Sequence, residues 1–256
     1  METSTQAVAR RPRGYVAVHG PDAEDFLQRM VSNDVAALEE GGSCEALLLT
    51  PKARVIAPMR VWRRSADDYL LLTEPELGEV VETQLLRARF AAKCAIEREE
   101  HSSLLVFGGD DGIPNDEYGA SAVEVLDGSA EPTLSDGELE RMRIEAGTPR
   151  FGAEIDDRVL PAEAGLVERA VSFTKGCYPG QEPIARLHYR GKANRRLRIL
   201  ALEDDHVPAP EAELELDGKV VGRITSSVPG LALGYVRTEV PEDAELVVEG
   251  RRARLH

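Results

Sequence analysis

The chain has 256 residues, 42% of them hydrophobic, with 31 basic against 46 acidic side chains and a net charge of −15. That composition excludes a disordered or fibrous chain and repels phosphate over most of the surface, which argues against general nucleic-acid binding. No apolar run approaches the roughly 20 residues of a membrane-spanning helix; runs such as Leu47-Leu48-Leu49 and Leu70-Leu71-Leu72 are far shorter.

Met1 to Arg13 lacks the apolar core of a signal peptide. Arg10, Arg11 and Arg13 would suit a transit segment, but a strand-like run follows at once, so a ragged start and a cytoplasmic location are expected. Tyr15 to Val18 predicts a short strand ending at Gly20. Pro21 then suits a first helical position, and Asp22, Glu24 and Asp25 favour the positive end of a helix dipole. Phe26, Leu27, Met30 and Val31 follow at helical spacing and are assigned to core packing. Ala46 to Leu49 and Val55 to Trp62 predict two strands joined by a turn at Thr50-Pro51-Lys52. Pro58 gives the second an edge or bulge character. A hairpin at Ser65 to Asp68 returns as Tyr69 to Leu72.

Pro75 opens a predicted helix with Leu77, Val80, Val81, Leu85 and Leu86 on one face. Ala95 to Glu97, Ser102 to Phe107 and Ala122 to Leu126 predict strands, and Asp136 to Glu145 a helix with Leu139 and Met142 inward. The glycine-rich loop Gly108 to Gly112 is acidic, which disfavours a phosphate cradle. This rhythm predicts an α+β unit with mostly antiparallel sheets. From Leu197 the pattern becomes short strands without a helix, with a hairpin signal at Asp217-Gly218. A small β-barrel with a boundary near residues 192–196 is expected.

One basic stretch stands out on this acidic chain: Arg186, Arg190, Lys192, Arg195, Arg196 and Arg198. It is either a solvated strand or loop, or an anion site for a carboxylate or phosphate. Charge alone does not choose between them.

The three cysteines, Cys44, Cys94 and Cys177, are odd in number and widely spaced. That argues against a disulfide framework. Without a C-x-x-C pair, no metal site held by this chain alone is expected. Cys177 lies in Lys175-Gly176-Cys177-Tyr178-Pro179-Gly180-Gln181-Glu182, where two glycines and a proline predict a tight irregular backbone. Such a cysteine is either a buried residue of a structural turn or a working thiol. Lys175 and the start of a helix over Ile184 to Tyr189 would both favour thiolate, so function is preferred. Cys44 and Cys94 lack this setting.

The motif resembles the signature of the YgfZ family, which is related to the T-protein, the aminomethyltransferase of glycine cleavage. The opening Val16 to Ala23 with Phe26-Leu27-Gln28 and Asn33-Asp34-Val35 is similar to that family, as are Arg143 to Gly147, Phe151-Gly152 and Pro161 to Leu166. The resemblance implies a ring of two antiparallel-sheet α/β subdomains around a cavity for tetrahydrofolate. One subdomain would span about residues 1–44 and 135–194 and the other about 45–134, with a barrel domain over 195–256. Glu145 matches the glutamate that holds the pterin, a role that suits a carboxylate accepting paired N–H donors. Arg195 or Arg196 would lie near the folate, with Tyr178, Gln181 and Arg186 completing the site.

One departure counts against the T-protein reaction. An essential aspartate of that family is replaced here at Ala57-Pro58, leaving no aligned group to activate the folate amine. The resemblance therefore implies a monomeric, folate-binding accessory factor. It would serve iron–sulfur client proteins, with Cys177 and Lys175 as working residues and neither nucleic acid nor membrane as partner. An aminomethyltransferase is the alternative. A cysteine hydrolase pairing Cys177 with His188 is a third reading.

Overall fold

The protein is described from a computed structural model covering residues 6–256; part of the expected ragged start, residues 1–5, lies outside the described residues. In chain order the elements are β1 (Val8–Arg10), β2 (Gly14–His19), α1 (Ala23–Met30), β3 (Ser43–Leu49), β4 (Val55–Ser65) and β5 (Asp68–Thr73). A 3-10 turn at Pro75–Leu77 leads into α2 (Gly78–Ala88), followed by β6 (Ala95–Glu99), β7 (Ser103–Phe107), β8 (Ile113–Asn115), β9 (Ala122–Leu126) and α3 (Asp136–Glu145). Two further helices are α4 (Val167–Ala170) and α5 (Gln181–Arg190). The chain closes with β10 (Arg195–Leu202), β11 (Glu213–Leu216), β12 (Lys219–Val228), β13 (Leu231–Arg237), β14 (Glu245–Val248) and β15 (Arg251–Leu255).

Three sheets result. A five-stranded antiparallel sheet runs β3-β4-β5-β2-β6, and a four-stranded one runs β1-β7-β9-β8. The last six strands close a barrel in the order β10-β13-β12-β11-β14-β15.

The five-stranded sheet is apolar on both faces, which is why its strands read as near-continuous hydrophobic runs. Val16, Val18, Tyr69 and Leu71 face one way and pack with Phe26 and Leu27 of α1 and Val81 and Leu85 of α2. Tyr15, Ala17, Leu70 and Leu72 face the other way and meet Ile113 and Leu126 from the four-stranded sheet. Leu47, Leu49 and Val55 extend a further core with α4, α5 and Tyr235 of the barrel. The Tyr235 hydroxyl donates to the Glu154 carbonyl at 2.9 Å, and Leu197 N–H donates to the Glu163 carbonyl at 2.8 Å, fastening the barrel to the body. Asp217 and Gly218, with φ of 51° and 73°, form the two-residue hairpin that the sequence predicts.

Several expectations are corrected. A cut near residue 44 does not separate the two sheets. β2 pairs with both β5 and β6, so the first sheet draws on residues 14–99, while the second takes β1 together with residues 103–126. All four residues Tyr15 to Val18 are buried, and only an interior strand covers both of their faces. Pro58 is not on an edge strand, since β4 lies between β3 and β5. Its missing N–H is tolerated because pairing with β5 begins one residue later, at Met59. Val80 and Leu86 are 37% and 43% exposed, so the inward stripe of α2 is narrower than expected. The short strands β1, β8 and β15 were not foreseen. Each is held by partners supplied from elsewhere rather than by a pattern of its own.

Candidate functional site

A central cavity of about 390 Å³ opens between the two sheets and α3. No barrel residue lines it. Its walls are charged and its floor is apolar. The segment Arg10 to Arg13, linking β1 to β2, crosses it; β3 contributes Glu45, and β4 contributes Pro58 and Met59. From α3 it receives Asp136, Leu139, Glu140 and Arg143, the i, i+3, i+4, i+7 face of that helix. The helix is anchored by a capping box in which Ser135 and Glu138 satisfy each other's backbone N–H.

The deep charges are matched in pairs. Arg11 grips Glu74 through two bonds of 3.0 and 2.9 Å. Arg13 spans Glu117 and Glu124 at 3.0 Å each. Arg60 reaches Glu45 at 3.2 Å and Glu117 at 3.6 Å, and Arg169 holds Glu45 at 2.6 Å. Arg143 bridges Glu140 at 2.7 Å and Glu154 at 3.0 Å. Burial disfavours the charge of Glu117, but Arg13, Arg11 and Arg60 outweigh it and hold this carboxyl well below its usual range. Glu74 and Glu140 are lowered by the same balance of burial against arginine. Two polar atoms in the network stay unpartnered although buried: Nε of Arg11, whose side chain lines the cavity, and Nε of Arg60. An unmet buried donor is costly, and a ligand acceptor would satisfy the one at Arg11. Arg10, which also lines the cavity, is exposed and makes no ion pair among the described residues.

The sequence-predicted folate residues stand elsewhere. Glu145 lies two residues past Arg143, about 200° further round α3. It is exposed and pairs with Arg141 at 2.9 Å. Arg195 pairs with Glu163 at 3.1 Å and covers the Tyr235 ring at 4.8 Å, clamping the barrel. Arg196 is exposed on β10. Tyr178 is buried in the core below the cysteine loop, its hydroxyl unpartnered; Gln181 starts α5 half-buried; Arg186 is exposed on that helix. None of these lines the cavity.

The cysteine loop is set by Gly180 and Lys175. Gly180 has φ of +85°, and a Cβ there would lie 2.8 Å from the Thr50 carbonyl, so this position requires glycine. A Cβ at Gly176 would meet only open space. Cys177 is exposed, Cys44 half-buried and Cys94 buried. Burial pushes the Cys44 thiol up to about 11 and raises that of Cys94.

Lys175 does not serve Cys177 in the expected way. Its ammonium turns inward and donates to the carbonyls of Val31 and Asn33, both at 2.7 Å. Burial lowers its pKa to about 8, opposed by Asp34 and Cys44. It is a clasp between the loop and the C-terminal end of α1, because the nearest acceptors are inside. His188 stacks on Phe173, with ring centres 4.3 Å apart, and makes no hydrogen bond to Cys177, which removes the support for a thiol–imidazole pair.

Sequence reasoning missed Glu45, Glu74, Glu117 and Glu140 and the roles of Arg11, Arg13 and Arg169. The arginines at positions 10 to 13 were visible but suggested a transit segment. Glu45 brings a carboxylate into the cavity beside Pro58, but it is held between two guanidiniums and is not free to act as a base.

Comparison with known proteins agrees with this architecture. Residues 194–256 match the CAF17 C-terminal beta-barrel domain. An uncharacterized protein of Haemophilus influenzae is 27% identical over 226 residues, covering 83% of this chain and 81% of that one. A tRNA-modifying protein YgfZ of Enterobacter is 26% identical, over 78% and 72% of the two chains. A putative chloroplastic transferase of Arabidopsis thaliana is 26% identical, over 93% and 66%. The crystal structure of the glycine cleavage system aminomethyltransferase T from Bartonella henselae superposes with a TM-score of 0.83 at 20% identity, over 98% of this chain and 85% of that one. The fold is that of the T-protein. The chain is thus similar to a CAF17-type barrel over residues 194–256, to a YgfZ protein over most of its length, and to the aminomethyltransferase in fold.

Proposed function

We propose that this protein binds tetrahydrofolate in the central cavity and acts as an accessory factor in the synthesis or repair of iron–sulfur clusters, with Cys177 as its working thiol. The observation that carries the first half is the cavity itself, an apolar floor ringed by carboxylates and guanidiniums with the Arg11 Nε donor unmet. A pterin edge offers amino and ring N–H donors to carboxylates and a carbonyl to a guanidinium, so both signs of charge suit it. Glu45, Glu117 and Glu140 are the candidate acceptors and Arg11 the candidate donor. The volume falls within the usual range for ligand pockets. Arg10 and Arg150 also line the cavity, Arg150 paired with Glu140 at 3.2 Å, and we assign them to the carboxylates of the folate tail. When bound, a reduced folate supplies a carrier for one-carbon units.

The thiol half rests on exposure. Cys177 is presented on a glycine-hinged loop, while the other two cysteines are less accessible and less acidic than usual. Free thiols suit a reducing compartment such as the cytoplasm, where we place the protein as a monomer. An aminomethyltransferase is the second reading, favoured by the shared fold. The pairing of Glu45 counts against it.

Calorimetric titration with tetrahydrofolate tests the cavity: binding should weaken in Arg11→Met and Glu140→Gln and persist in Glu145→Ala. Equal affinity in all three would move the folate elsewhere. The thiol is tested in cells lacking the protein, where Cys177→Ala should fail to restore cluster-dependent enzymes and Cys44→Ala should succeed.

A further inference from the structure

The basic stretch that the sequence sets apart does not reach the central cavity, and its cations divide into two kinds. Arg195 and Arg198 are paired, with Glu163 and Glu242. Arg186, Arg190, Lys192 and Arg196 are exposed and, among the described residues, make neither an ion pair nor a side-chain hydrogen bond. Exposed cations elsewhere go both ways: Arg158, Arg237, Arg251 and Arg254 each have an acidic partner, while Lys52, Arg87, Lys93 and Lys219 have none among the described residues. What sets this stretch apart on a chain of net charge −15 is the clustering of four such cations between positions 186 and 196.

Two of them edge a groove. It holds about 430 Å³ between α5 and the Leu160–Ala162 turn. Leu160, Pro161, Ala162, Ile184 and Leu187 give it aliphatic walls. Arg186 and Arg190 stand one helical turn apart on its rim, on the same face as Glu182.

We propose that this groove docks an acidic polypeptide segment of a partner protein, one aliphatic side chain entering the floor and flanking carboxylates meeting Arg186 and Arg190. The inference rests on the reading that the protein serves clients. Charge complementarity selects the occupant: guanidiniums pair bidentately with carboxylates, and an aliphatic floor suits a leucine or isoleucine between them. Nucleic acid is the weaker match. The groove walls carry no aromatic ring on which a base could stack. The position also gives docking a purpose. Arg186 lies about 7.5 Å along α5 from its start, and the Cys177 loop leads directly into that start. A segment seated in the groove brings its protein up to the thiol.

The test uses the full chain and fluorescence anisotropy with three probes: a labelled Glu-Leu-Glu-Glu-Leu-Glu peptide, its Gln-for-Glu counterpart, and a single-stranded RNA of similar charge. The acidic peptide should bind with an affinity that falls as salt rises. The Arg186→Glu/Arg190→Glu double variant should weaken it about tenfold or more while leaving tetrahydrofolate binding and the melting temperature unchanged. Cys177→Ala should bind the peptide normally. Equal binding of the glutamine peptide, or indifference to the double reversal, overturns the proposal. RNA that binds more tightly than the acidic peptide and is lost in the double variant overturns it in favour of RNA. Failure of the iron–sulfur reading would register separately, as restored cluster-dependent activity in cells carrying Cys177→Ala, and leaves the peptide result standing.

Discussion

The central cavity and the segment from Lys175 to Arg196 handle charge in opposite ways. In the cavity, guanidiniums and carboxylates from the β1–β2 link, other loops, two strands and α3 neutralise one another, and the pairs brace its walls. Between Lys175 and Arg196, one cation is buried on backbone carbonyls, Arg195 is paired with Glu163, and four others face solvent with no ion pair among the described residues. Paired charge gives shape and has little left to offer a macromolecule; unpaired charge remains available. The contrast fits the two proposals, a small molecule in the cavity and a partner segment beside α5.

The sharpest way to break this contrast is to remove one carboxylate from the ring. Glu117 is within 3.7 Å of Arg11, Arg13 and Arg60, so Glu117→Gln leaves buried cations uncompensated. It should cost about 3–5 kcal/mol, read as a lowered midpoint in denaturant melts. A loss below about 1 kcal/mol would mean that the ring is not a cooperative unit. The same pairs set the acid limit of the native state. Glu117, Glu74 and Glu140 have carboxyls held below the ordinary value of 4.5. Their contribution is complete above that pH and declines as pH falls through the lowered values. Wild-type melts from neutral to acid pH should show that decline, and Glu117→Gln should flatten part of it.

Lys175 tests the other region. Lys175→Met strands the Val31 and Asn33 carbonyls and should cost about 1–3 kcal/mol, with altered alkylation kinetics at Cys177 because the loop loses its clasp. The pH dependence has the opposite sense from that of the carboxylates. The lysine pKa drops from 10.5 to about 8 on folding, so between those values the unfolded chain binds more protons and stability rises with pH. In melts, the stability of wild type relative to Lys175→Met should rise across that window, whatever the thiols contribute to both.

Smaller effects sharpen the boundary between the regions. Arg10→Ala should reduce tetrahydrofolate affinity by about 1 kcal/mol, near fivefold, through loss of an exposed charge-assisted contact. Cys177→Ala should change stability by less than about 0.5 kcal/mol, as an exposed side chain away from packing does, while abolishing function in cells. A large melting shift in that variant would mean that the loop is structural.

The elements were legible because they repeat on a short scale. The strands at Tyr15 to Val18 and Tyr69 to Leu72, the helix at Asp136 to Glu145 and the Asp217-Gly218 hairpin each announce themselves within one or two turns of chain. The site was legible only in outline. The Arg143 to Gly147 block pointed to a helix that lines the central cavity, but the helical repeat turns Glu145 outward and Glu140 and Arg143 inward. Arg195 looked like a ligand for an anion until the barrel, packed against the body, gave it Glu163 and Tyr235.

The sequence by itself determined the kinds of element, the barrel's start near Arg195, the glycine at position 180 and the setting-apart of the cysteine loop, because backbone preference and hydrophobic period act between near neighbours. Only the tertiary structure decided which charges meet. Arg11 and Glu74 are 63 residues apart, and Arg169 and Glu45 are 124 apart. An ion pair depends on distance in space, and strand pairing across the whole chain is what sets that distance. The same pairing left Arg186 and Arg190 without a partner, which no count of charges along the chain could have foretold.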